Sequence, residues 1–150
     1  MPRRRRNKML IAIIGIGLLN FLSYTIIYAI VGGDAKNGWI EEGQCFVRGH
    51  FLHPGREGQA TQVPSWVWVY SYLHSISIWP TIGGVLCCML LLARPHIIAT
   101  MQADHLIRGQ QFVTASMTLI MIVTAASMMF FLVGFSRALN ASQGNGTYGL

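Results

Sequence analysis

The sequence predicts an all-α integral membrane protein: three transmembrane helices and a small hairpin-like loop on one side of the bilayer. Three observations carry this. Of 150 residues, 53% are hydrophobic and only 11% charged, whereas a soluble domain uses about 25% charged residues to face water. Residues 9–31, about 65–92 and about 111–135 form three stretches without Asp, Glu, Lys or Arg, each long enough to cross a hydrocarbon core of about 30 Å. The basic residues crowd before the first stretch, as Arg3, Arg4, Arg5, Arg6 and Lys8. The chain therefore reads as a single membrane domain over residues 1–150. It comprises a basic segment 1–8, an outer loop 32–64, an inner loop 93–110 and an outer tail 136–150.

The first stretch reaches about 34 Å as a helix. Its length exceeds the short apolar core of a cleaved signal peptide, so an uncleaved anchor is expected. As straight helix the second would reach about 42 Å, so it should project or bend. Pro80 followed by Gly83 and Gly84 marks the place, with Ser77 near enough to serve the carbonyl that Pro80 frees on Ile76. The third is uninterrupted.

Three spans put the termini on opposite sides. With the N-terminus in the cytoplasm, Arg3 to Arg6, Lys8, Arg94 and Arg108 lie inside, against Lys36, Arg48, Arg56 and Arg137 outside. Basic residues near the spans set orientation, which predicts N-in, C-out in a cell membrane, plasma or inner. Topology and anionic lipid account for the arginine run, and no folded basic face accompanies it to bind nucleic acid. Trp66, Trp68, Tyr70 and Tyr72, with Trp39 in the preceding loop, read as an aromatic belt at the outer headgroups.

Each helix has a side that lipid would not satisfy. On the second, Tyr70, Ser71, Ser77, Thr81 and Cys88 fall within about 60° of His74, with Ser75 at the margin, about 100° away. Asn20 and Tyr24, with Gly17 and Ser23, repeat the pattern on the first. Thr114, Met117, Thr118, Met121, Ala125 and Met128 line one face of the third. Polar and small residues in a bilayer face protein, water or ligand. These faces are expected to be buried between helices, with the stripe from Tyr70 through His74 to Thr81 lining a crevice.

His74 is the ionisable residue deep in a span, and burying such a group in lipid is costly. As a packing residue it hydrogen-bonds Ser71, Tyr70 or Asn20. As a ligand it holds haem or a metal, with a second axial histidine supplied by another chain. Met117, Met121 and Met128, with Cys88 and Met89, offer soft donors of the kind copper takes, although methionine also fills packed interiors. In the outer loop, Cys45, His50 and His53 form the other candidate metal set, with Asp34, Glu41 and Glu42 nearby in sequence. Asn37-Gly38, Glu42-Gly43, Pro54-Gly55 and Glu57-Gly58 punctuate that loop as turns. Residues 44–52 read as a strand that pairs with residues 39–41 or 61–63.

The three cysteines make no disulfide or zinc framework. Neither a nucleophile elbow, a P-loop, a zincin helix nor a dinucleotide glycine set is present. Asn140 and Asn145 begin glycosylation sequons on the outer tail. The expected function is therefore a non-enzymatic membrane subunit, structural or accessory, packing in the lipid bilayer with other integral membrane proteins or as a homo-oligomer. A haem- or metal-binding redox protein is the alternative, and a small transporter or channel component the third. No cofactor is required by the sequence.

Overall fold

The computed structural model describes residues 3–49, 60–101 and 108–144, the last four by backbone alone. Most of them are helical. In chain order come α1 (Arg3–Val31), β1 (Asp34–Glu41), β2 (Gln44–Arg48), β3 (Ala60–Val63), α2 (Ser65–Met101) and α3 (Gly109–Gly144). All three helices are long and apolar enough to cross a membrane. The spans expected from the sequence lie inside them. Each helix runs further, because backbone hydrogen bonding continues where apolar composition stops: α1 starts within the arginine run and α2 continues through Pro80 and Pro95.

All-α is corrected by a three-stranded antiparallel sheet in the order β1-β2-β3. Both expected pairings form, one on each side of β2. The β1–β2 hairpin closes with Glu41 opposite Gln44, and its two turn residues, Glu42 and Gly43, both have positive φ (48° and 76°). Such a turn matches the twist of the strands it joins. Asn37-Gly38 is not a turn but part of β1. Between the pairs Asp34–Arg48 and Trp39–Phe46, β1 runs five positions while β2 runs two. This register shift is a bulge in β1, where the sequence predicts a turn. A Cβ on Gly38 would overlap the carbonyl of Phe46, so glycine is what lets the strands approach there.

Contacts divide the chain into two units. One comprises Met1–Phe21 with Trp79–Ser127, the other Leu22–Ile78 with Met128–Leu150. In the first, α1 and α2 touch at Gly17, where a Cβ would meet Val85 and Thr81. Asn20 Nδ2 donates to Thr81 Oγ1 at 2.9 Å beside it. Gly83 lies against Thr124 of α3, whereas a Cβ on Gly84 would meet open space. At the start of α3, Gly109 sits against the backbone of Ile97 and Ile98.

The second unit contains the sheet and the main apolar core: Ala35, Cys45, Val47, Trp68, Tyr72 and Ile76, flanked by Phe131, Phe135 and Leu139. Alternation along β2 turns Cys45 and Val47 inward. Phe46, between them, stacks on Trp39 from the opposite face, centroids 5.4 Å apart. The aromatic cluster at the start of α2 divides by helical period. Trp66 and Tyr70 point outward, 72% and 45% exposed, while Trp68 and Tyr72 are 1% and 3% exposed. Two of the five expected belt residues are therefore core, because Trp68 and Tyr72 meet Phe135 of α3 at centroid distances of 6.3 and 5.0 Å.

Candidate functional site

The densest polar chemistry among the described residues lies within the second unit, where the chain leaves α1. Gly32 has φ of 84°. The amides of Gly32 and Gly33 both donate to the Tyr28 carbonyl at 3.0 Å, closing the helix end. This places Asp34 directly after the helix, folded back and buried. Its Oδ2 accepts from the Tyr24 hydroxyl and its Oδ1 from the Asn37 amide, each at 2.9 Å. The second bond is a local turn made by the Asp side chain itself.

From α2, Ser71 Oγ accepts the Ala35 amide at 3.1 Å. Ser75 donates to the Ser71 carbonyl at 3.0 Å and lies 3.4 Å from the Tyr24 hydroxyl. Tyr24, Asp34, Ser71 and Ser75 thus tie α1, β1 and α2 together through mutual bonds. Burying polar groups is tolerable only when they are satisfied in this way.

His74 is at the edge of this cluster. It is buried, with its ring edge-on to Tyr24 at 5.3 Å and to Tyr70 at 5.5 Å. The gap bounded by Tyr24, Ile27, Tyr28, Gly33, Ser71 and His74 leaves no room for a water molecule. A haem or metal ligated at His74 would require these rings to move.

The stripe expected on α2 is redistributed. Its buried side is centred nearer Ser75 than His74, since Trp68, Ser71, Tyr72, Ser75 and Ile76 are all buried. Tyr70 is 45% exposed. Ser77 donates to the His74 carbonyl at 2.7 Å. Thr81 belongs with Asn20 in the first unit. Two participants escaped the sequence reading. Asp34 was grouped with loop acids, although Gly-Gly-Asp after a span is a folding-back signal. Ser75 lay at the margin of a stripe drawn from polarity alone, without the weight of Trp68 and Tyr72.

Of the loop metal set, His50 and His53 lie outside the described residues. Cys45 is buried in the apolar core, and among the described residues no three His, Cys, Asp or Glu side chains converge on a metal position. Burial pushes the Cys45 thiol above its ordinary range. The neutral thiol is therefore the form that suits the fold. Any stability contributed through this group is complete below the ordinary thiol range and declines as pH rises beyond it. Alkylation of Cys45 by iodoacetamide in the folded protein is expected to lag well behind a free thiol at neutral pH, with the rate rising only at clearly alkaline pH. Equal rates would contradict the buried placement.

On α3, the expected inward face is exposed instead: Thr114, Thr118, Met121, Ala125 and Met128 are all exposed, and Met117 is half-buried. The side that α3 buries, with Val113 and Thr124, is turned away by about a quarter of the circumference. Of the soft donors, Cys88 is buried, whereas Met89, Met121 and Met128 are exposed. In comparisons with known protein families, curated proteins and solved structures, the chain matches none.

Proposed function

We propose that this chain is a non-enzymatic subunit of a cell membrane, N-terminus cytoplasmic and C-terminus outside, that packs with other integral membrane chains or with copies of itself. The observation that carries this reading is the exposed stripe on α3. Thr114, Thr118 and Ala125 are small residues of the kind that let membrane helices approach closely, yet all three are exposed. Thr114 already donates to the Gln110 carbonyl of its own helix at 3.0 Å, so the stripe offers close approach more than hydrogen bonding. The buried polar cluster supports the same reading. Tyr24, Asp34 and Ser71 are engaged by each other or by neighbouring backbone amides, beside a gap too small for water.

Native mass measurement in mild detergent tests the proposal. The wild type is expected as a defined assembly above 16.6 kDa. Ala125→Trp is expected to break that assembly, while Val123→Trp, on another exposed face of α3, leaves it whole. A wild-type monomer, or equal sensitivity to both substitutions, would overturn the proposal. The visible spectrum of the same preparation tests the haem alternative, which requires an absorption band lost in His74→Leu.

A further inference from the structure

We infer that the first unit carries a basic collar that binds the headgroups of anionic phospholipids. The helix packing places its members. In that unit α1 and α2 meet where Gly17 faces Val85. Measured from this contact at 1.5 Å per residue, Lys8 lies about 14 Å along α1 and Arg3 about 21 Å. Arg94 lies about 14 Å in the same direction along α2, because the two helices run antiparallel. Gly109 sits against Ile97 and Ile98, so Arg108 falls at about 20 Å.

Seven basic side chains thus occupy a slab roughly 8 Å thick, although they come from three separate parts of the chain. All are exposed, and no Asp or Glu accompanies them among the described residues of this unit.

Two details favour headgroups over a compact soluble anion. The arginine run is helical from Arg3, so consecutive guanidinium groups point about 100° apart and surround the helix instead of converging on one ligand. Beside Arg108, an open hollow of about 540 Å³ is lined by Gln110, Gln111, Thr114 and Ala115. It is polar at the helix start and passes onto the exposed face of α3. A phosphate at Arg108 with an acyl chain running down that face fits this change of character. Basic residues beside a membrane span attract anionic lipid, each by roughly fivefold in affinity.

The test reconstitutes the full chain in bilayers of mixed phosphatidylcholine and phosphatidylglycerol, then extracts it gently and identifies retained lipid by native mass spectrometry. Phosphatidylglycerol is expected to be enriched over phosphatidylcholine, and raised salt to reduce the enrichment. Arg94→Gln with Arg108→Gln should lower it by at least about fivefold, the corresponding Lys pair should preserve it, and Arg137→Gln should leave it unchanged. Absence of enrichment in the wild type would overturn the collar. An equal loss in Arg137→Gln, or binding of inorganic phosphate or an oligonucleotide in place of lipid, would do the same.

Discussion

Trp68→Ala is expected to destabilise the sheet-bearing unit by about 3–5 kcal/mol, the range for deleting a large aromatic from a closed core. Trp68 is 1% exposed and joins Tyr72 and Phe135 at centroid distances of 5.2 and 6.3 Å. Its removal leaves a cavity among elements that cannot readily collapse. Gly134 already lies against the Tyr72 hydroxyl, and β2 is held on both sides by its neighbours. Equilibrium unfolding in mixed micelles, followed by near-ultraviolet circular dichroism, measures the change. Hydrogen exchange locates it, with β2 amides such as Val47 expected to lose protection before the inner turns of α2. Trp66→Ala is the matched control. That ring is 72% exposed and should cost under about 1 kcal/mol. Similar costs for the two substitutions would mean that the inward–outward division of these aromatics is wrong.

Asp34→Ala is the second large effect, about 2–4 kcal/mol. It deletes the acceptor of two bonds, from Tyr24 and Asn37, each 2.9 Å long. Hydrogen bonds to a carboxylate contribute about 1.5–3 kcal/mol, and a donor left buried loses its solvation as well. Asp34→Asn should be milder, since its amide oxygen still accepts from Asn37 while the Tyr24 hydroxyl turns to accept. A double-mutant cycle with Tyr24→Phe isolates the Tyr24–Asp34 bond and should give a coupling above about 1 kcal/mol. Additive losses would show that the two side chains are not partners in solution.

Lys36 adds a further tie between sheet and helix. Its ammonium lies 5.3 and 5.4 Å from the ring centroids of Phe130 and Phe131, within reach of a cation–π attraction. Sequence separation hides this contact. Nothing near Lys36 along the chain announces two phenylalanines nearly a hundred positions later.

The three apolar helices, the Glu42-Gly43 hairpin and the strand through Cys45 and Val47 were legible in the sequence, because each depends on local terms. A bilayer-length apolar run, a turn that needs positive φ, and an alternation of period two are properties of short windows. Gly17, Asn20 and Tyr24 could also be placed on one helix face without knowing a neighbour. What helical period alone does not decide is which of several similar faces wins. Trp66 and Trp68 are identical in type and two positions apart, yet only Trp68 finds Phe135 and the sheet. The stripe of Thr118 and Ala125 on α3 is as small and polar as the face of α2, yet it stays exposed because Val113 and Thr124 take the contact instead. Asp34 shows the same division most plainly. Its two preceding glycines mark a chain reversal, but only the approach of α1 and α2 supplies Tyr24 and the space that excludes water. Local residues determined which elements form, whereas burial was decided by packing among distant segments, where area and shape outweigh the polarity of any single side chain.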